Sequence, residues 1–254
     1  MYLSWKKIVE TKNQTYNLSG YCAIIQQWQD PASNLYISKK LAYTQRVGID
    51  CRHIITQDVD AMIIMLNNDP ACIWLMVQLP AHANLDLIDP KKDMDCLTSA
   101  NLWKITRSDY QIVPATVGAI MSLLCEYDIQ ICWSCIVIIN NSALIWLPLV
   151  QVLSQAWWQV IMLDKHCPDL MPYLAIADII VSATPVAHMI TQDMLRPHHV
   201  VIDAGYAYVD WVYYTNIDHV TADTYVRAIT PKIGGVWPLT IYHVFHNLAI
   251  LNSQ

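Results

Sequence analysis

Glycine is scarce in this chain. Its 254 residues carry six, where average usage near 7% would give roughly eighteen. Turns that ordinarily rely on glycine must be made by other residues, asparagine being the mildest substitute because it tolerates a left-handed backbone. Phenylalanine occurs once, against ten tryptophans. Charged residues make up only 14%, the net charge is −6, and no basic cluster occurs. That excludes a polyanion-binding surface, so nucleic acid is not an expected partner. No second Cys-x-x-Cys pair accompanies Cys132 and Cys135, and no third ligand of matching character accompanies His243 and His246, so no metal site is expected. The stretch Met1 to Lys7 lacks the apolar core of a signal peptide. The longest apolar run, Ala143 to Leu163, is interrupted by Pro148, Gln151, Ser154, Gln155 and Gln159. A helix followed by a buried strand accounts for it better than a membrane span. Eight cysteines, mostly inside apolar runs, read as free buried thiols of a reducing compartment. The expectation is a soluble, cytoplasmic protein.

What is present is ample apolar material, 55% of the chain, and a repeating α/β pattern. The stretch from Asp30 to Lys40 reads as a helix start, with Asp30 as N-cap, Pro31 in the first turn and Gly48 as the stop. Within it Tyr36 and Lys40 lie four apart and share a face. A phenol beside an amine can hold a planar ligand against a proton donor or acceptor; a surface helix with a solvated lysine is the plain alternative. Apolar runs at Tyr21–Gln26, Arg52–Thr56 and Ile73–Val77, with a helix over Gln57–Asn67, make a strand–helix alternation typical of a parallel sheet. Gln78 closes the third run, where α/β sheets place ligands.

The pattern restarts after Tyr110. It runs through a helix over Ala115–Tyr127, a strand over Cys135–Ile139, a helix to Gln155, then strands at Trp157–Leu163, Ala177–Ala183 and Val200–Asp203. The first turn of this doubly wound block, Asn140-Asn141-Ser142, is where such a fold cradles a phosphate, yet it lacks the G-x-G-x-x-G fingerprint. A Gly/Pro-rich loop, Thr230 to Thr240, leads into a last helix over Ile241–Ile250.

Four stretches occur in order: D-P-A-S-x-x-Y-x-x-x-K from Asp30, V-Q-L-P from Val77, K-D-x-D ending at Asp95, and T-P-x-x-G-G-V-x-P-x-T from Thr230. On these, the chain from about Cys22 to Leu251 resembles the bifunctional methylenetetrahydrofolate dehydrogenase/methenyltetrahydrofolate cyclohydrolase family. The resemblance implies two α/β domains with a cleft between them: a folate-binding catalytic domain over 1–105, completed by the C-terminal helix 239–254, and a Rossmann-like NAD(P)-binding domain over 106–238. It implies NADP-dependent oxidation of 5,10-methylenetetrahydrofolate and hydrolysis of the methenyl product to 10-formyltetrahydrofolate, with NAD as the other candidate cofactor, and a homodimer.

By the same resemblance Lys40 is the acid and base of the hydrolysis. Tyr36 stacks on the folate, Gln78 hydrogen-bonds Lys40, and Asp95 accepts from the pterin. Ile37, Ser38, Lys39, Val77, Leu79, Ile233, Gly234, Gly235, Val236, Trp237 and Pro238 line the folate. Asn140, Asn141, Ser142, Lys165 and Tyr206 face the cofactor. The chain departs from the family at several glycines. Asn140-Asn141-Ser142 stands where the family has Gly-Arg-Ser, and Trp28, Trp146 and Trp237 occupy glycine positions. Asp164-Lys165 replaces His-Ser, and the segment between Leu79 and Pro90 is shorter. Two alternatives therefore stay open at this point: a cyclohydrolase or folate binder with a defective cofactor site, and an inert chain that keeps only the fold.

Overall fold

The structure, a computed structural model, describes residues 1–5, 8–9, 19–140, 142–155, 159–209 and 212–252. Most of residues 1–17, a stretch that reads from its sequence as a helix with a polar face, falls outside these, as do Asn141 and Trp157. The chain forms two compact units. One comprises Asn13–Ala115 and Ile241–Gln254; the other comprises Met1–Lys12 and Thr116–Thr240.

In the first unit, β1 (Tyr21–Gln26), α1 (Pro31–Val47), β2 (Cys51–Ile55), α2 (Val59–Asn68) and β3 (Cys72–Gln78) build a three-stranded parallel sheet of order β2-β1-β3. Every residue of β1 is buried, as a central parallel strand requires. Helix α1 starts as its sequence dictates: the Asp30 carboxylate accepts from Ala32 and Ser33 N–H at 3.0 Å, and Pro31 takes the first turn. It ends on Gly48, whose φ of 77° is the left-handed cap conformation that glycine adopts without strain. A further short helix, α3 (Ser99–Thr106), is capped by Thr98 and was not legible as an element in the sequence.

In the second unit, α4 (Ala115–Glu126) leads to β4 (Cys135–Asn140), α5 (Ala143–Ser154), β5 (Gln159–Leu163), α6 (Met171–Leu174), β6 (Ile179–Ala183) and β7 (Val200–Asp203). A hairpin of β8 (Ala207–Val209) and β9 (Val212–Tyr214), α7 (His219–Ala222) and β10 (Ala228–Ile229) follow. The five-stranded parallel sheet has the order β10-β7-β6-β4-β5. Successive strands leave β4 first to one side and then to the other, so its switch point lies between β4 and β6.

Two expected boundaries differ. Residues 1–12, placed with the first domain from sequence, group with the second unit, because Leu3 N–H donates to Ile229 O at 2.9 Å and Ile229 N–H to Met1 O at 2.9 Å, extending the sheet beyond β10. The last helix, α8 (Val236–Asn252), begins five residues before Ile241, so Val236, Trp237 and Pro238 form its first turn rather than part of the loop. Pro238 fits there because N–H groups of a first helical turn have no intrahelical acceptor to lose. The single phenylalanine, Phe245 on α8, is fully buried and stacks on Tyr43 of α1 at 5.2 Å. Of the eight cysteines, all free, Cys125 and Cys132 are exposed rather than buried. Among the described residues no helix is long and apolar enough to cross a membrane.

Candidate active site

Lysine at position 40 is the side chain the sequence alone could not place. It is 1% exposed, so the solvated-lysine alternative is wrong. Burial follows from helix phase: Ser33, Ile37, Lys40 and Thr44 are the buried positions of α1, spaced at helical intervals. The Lys40 Nζ donates to Gln78 Oε1 at 3.0 Å and to Met76 Sδ at 3.6 Å. It sits 4.3 Å from the centre of the Tyr36 ring. Met76 and Gln78 lie on one face of β3, two residues apart. Gln78 Nε2 donates to Leu79 O at 2.8 Å, which turns Oε1 toward the lysine.

Burial pulls the Lys40 pKa down to about 8, with Asp95 and the neighbouring Cys51 opposing the fall. Asp95 is half-buried and moves the other way. Burial raises it to about 6, Lys40 pulls it down, Asp93 pushes it up, and the Ala115 backbone N–H stabilises its charge. An amine and a carboxyl that both titrate near neutrality, close enough to shift each other, are suited to proton transfer.

Asp93 holds this carboxylate's loop in place. Its 1% exposed side chain accepts from Leu97 N–H (3.0 Å), Thr98 N–H (2.9 Å), Thr98 Oγ1 (2.8 Å) and Asn101 Nδ2 (3.0 Å). Asn247 of α8 donates to Met94 O at 3.1 Å and Val113 O at 2.8 Å, tying down the backbone beside Asp95. Sequence reasoning missed both supports. For Asp93 a signal existed, a capping threonine five residues on; for Asn247, far along the chain, none did.

The remaining folate-side expectations separate by location. Ile37 (2% exposed) packs in the apolar core that also holds Met76 and borders Tyr36, whereas Val77 (1% exposed) points into the core on the opposite face of β3, away from Lys40. Ser38 and Lys39 are exposed, and Ser38 Oγ donates back to Leu35 O at 2.8 Å. Leu79 is half-buried. Trp28 stands edge-on to His82 at 4.7 Å.

In the other unit, Ile233 is 89% exposed, Gly234 and Pro238 are half-buried, and Gly235 and Val236 are buried. Trp237 packs edge-on against Tyr206 at 4.5 Å. The strand ends of this sheet form a second polar cluster. Asn140, fully buried at the end of β4, accepts from Ser142 N–H, and among the described residues its Nδ2 has no partner. Ser142 caps α5 by position but makes no side-chain cap hydrogen bond. A partnerless amide beside an uncapped helix N-terminus suits an anionic group, so these residues fit a dinucleotide phosphate. Asn141 lies outside the described residues; Lys165 and Tyr206 are exposed, and Trp146 is half-buried in the first turns of α5.

Across from Asn140, Asn216 was not foreseen. It is fully buried: its Oδ1 accepts from Ser182 Oγ and Thr184 N–H, both at 2.8 Å, and its Nδ2 donates to Thr184 O (2.8 Å) and Val186 O (2.7 Å). Gly205 makes room for it, because a Cβ at 205 would come within 1.8 Å of Asn216 Oδ1.

A parallel-sheet α/β chain in two units, one with a buried lysine–amide–phenol cluster and one Rossmann-like, is the class of a two-domain dehydrogenase. Residues 3–95 match the model of the tetrahydrofolate dehydrogenase/cyclohydrolase catalytic domain, and residues 114–254 match that of the family's NAD(P)-binding domain. The chain belongs to this family. It is 33% identical over 253 residues to a bifunctional protein FolD of Lactobacillus delbrueckii subsp. bulgaricus, covering 94% of this chain and 89% of that one. The silkworm (Bombyx mori) 5,10-methylenetetrahydrofolate dehydrogenase superposes with a TM-score of 0.84 at 27% identity, covering 94% of this chain and 89% of that one. The Trypanosoma brucei dehydrogenase-cyclohydrolase, solved with NADP and an inhibitor, superposes at 0.85 with 24% identity over 97% of this chain and 90% of that one, a likeness of fold.

Proposed function

We propose that this chain carries out both reactions of its family: oxidation of 5,10-methylenetetrahydrofolate to the methenyl form with a nicotinamide dinucleotide, and hydrolysis of that product to 10-formyltetrahydrofolate. The observation that carries the reading is the buried Lys40, held by Gln78 at 3.0 Å and by the Tyr36 ring at 4.3 Å.

In the hydrolysis, water adds to the methenyl carbon and loses a proton, which the neutral Lys40 amine accepts. The resulting ammonium gives that proton to the ring nitrogen whose bond to the carbon then breaks; as it does, the adduct's hydroxyl passes its proton to the freed amine and on to solvent, becoming the carbonyl and leaving the formyl group on the other nitrogen. A lysine with its pKa near 8 supplies both forms close to neutral pH. Gln78 aligns the amine, Tyr36 offers its face to the pterin, and the Asp95 carboxylate accepts from the pterin's amino and ring N–H groups. The Ile233 to Pro238 stretch, and Leu79 beside Gln78, are assigned to folate contacts.

When bound, a nicotinamide dinucleotide would supply the hydride acceptor for the oxidation. This chain's contribution is to bind and orient: the uncapped start of α5, Asn140 and Asn141 toward phosphate, with Lys165 and Tyr206 assigned to the same cofactor. The chain is assigned to the cytoplasm and to a homodimer assembled through its second unit, which light scattering on the purified protein tests.

A spectrophotometric assay decides among the functional readings. Both methenyl consumption and reduced-dinucleotide formation from the methylene substrate are expected. Methenyl consumption alone would leave a cyclohydrolase. Neither activity, with no folate binding by titration, would leave an inert fold.

A further inference from the structure

We infer that the dehydrogenase half, taken as proposed above, prefers NAD to NADP, and that Asp164 makes the choice. Strands β4 and β5 run parallel with Ile139 opposite Leu163, so Asn140 and Asp164 are the next residues along, side by side at the carboxyl ends. In a Rossmann-like unit the residue ending the strand next to the phosphate turn meets the adenine ribose. A carboxylate there accepts hydrogen bonds from a free 2′-hydroxyl, while a cation there receives a 2′-phosphate.

Asp164 is exposed. Its Oδ1 accepts from His166 N–H at 2.9 Å, which fixes the carboxylate's orientation, and among the described residues its other oxygen accepts no hydrogen bond. It is placed to take a hydroxyl.

The surrounding chain offers a 2′-phosphate almost nothing. From Ser108 to Asp164 there is no lysine, arginine or histidine, so the β4–α5–β5 unit carries no cationic side chain at all. The first is Lys165, directly beside the Asp164 carboxylate that would repel the same phosphate. A doubly charged phosphate would thus meet one carboxylate, one lysine and the exposed His166 imidazole, where the diol of NAD meets an acceptor.

The experiment is equilibrium binding of NAD and NADP to the full chain without folate, read by calorimetry, with methenyl hydrolysis measured in parallel. NAD is expected to bind at least tenfold more tightly. Asp164→Ser, at an exposed position, should weaken NAD severalfold, tighten NADP about tenfold, and leave hydrolysis unchanged. Adding Lys165→Ala to that variant should remove the gain in NADP affinity. NADP binding as tightly as NAD in the unaltered chain, or an unchanged NAD/NADP ratio in Asp164→Ser, overturns the inference while the dehydrogenase reading stands. Binding of neither dinucleotide, with hydrolysis intact, overturns both.

Discussion

Asp93 and Asp95 lie two residues apart and are used in opposite ways. Asp93 takes donors from Leu97, Thr98 and Asn101 at 2.8 to 3.0 Å and is buried among them. Among the described residues the Asp95 carboxyl, half-buried, has only the Ala115 N–H as a hydrogen-bond donor, with Lys40 as its cation. One carboxylate holds the loop; the other is left with unfilled acceptor sites. Asp95→Asn should therefore reduce folate affinity and hydrolysis with little change in stability. Asp93→Ala should lower stability by about 3 kcal/mol, since it orphans several buried donors. Denaturant melts beside hydrolysis assays distinguish the two, and equal stability loss in both variants would contradict the division.

Lys40→Met keeps an unbranched side chain but removes the amine. Hydrolysis should fall by at least about 100-fold, the scale of a positioned acid–base group. Folate binding, followed by quenching of tryptophan fluorescence, should stay within a few-fold. Retained hydrolysis would remove Lys40 from its role.

The pH profile of hydrolysis follows from the two shifted groups. Asp95 becomes the charged acceptor above about 6, and Lys40 becomes a free amine above about 8, so the rate should climb across that interval. In Asp95→Asn the lower inflection disappears. The upper one should move to lower pH, because Asp95 is a charge that keeps Lys40 protonated. Measuring kcat against pH in both proteins checks the direction, and an upper inflection that stays put would contradict the coupling.

Asn216 holds the loop after β6 from the far side of the sheet's switch point. Asn216→Ala should cost about 3 kcal/mol of stability, through unpaired Thr184 and Ser182 groups. It should weaken dinucleotide binding while leaving methenyl hydrolysis near normal. Equal damage to both activities would mean the residue serves the fold as a whole.

His219 contacts two carboxylates, Asp223 at 2.6 Å and Asp203 at 3.6 Å. Burial disfavours its charged form, but the two carboxylates outweigh it and raise the pKa above the ordinary histidine value of 6.5. The folded state then holds its proton more tightly than the unfolded one. The stabilisation is full below 6.5 and fades as pH rises through the folded value. Urea melts of the unaltered chain and His219→Gln should therefore differ most at mildly acidic pH and converge as the solution turns alkaline. A gap that widens with pH would refute this.

Much of the molecule was legible in its sequence because the signals were local. Asp30, Pro31 and Gly48 bracket α1 through their own backbone preferences; apolar runs marked β1, β4 and β7 because a central parallel strand must be apolar on both faces, and marked β3 because that strand, though at the edge of its sheet, is almost wholly buried. Helix periodicity alone put Tyr36 and Lys40 on one face. Tertiary structure decided what such patterns leave open. It turned that face inward, which moved the Lys40 pKa by withdrawing water; it brought Gln78 and Asp95 from separate segments to the same amine; and it chose Asn247 and Asn216 as supports for distant loops. Hydrophobic period specifies which residues of one element share a side, whereas desolvation and long-range hydrogen bonds depend on which other elements come to lie against it.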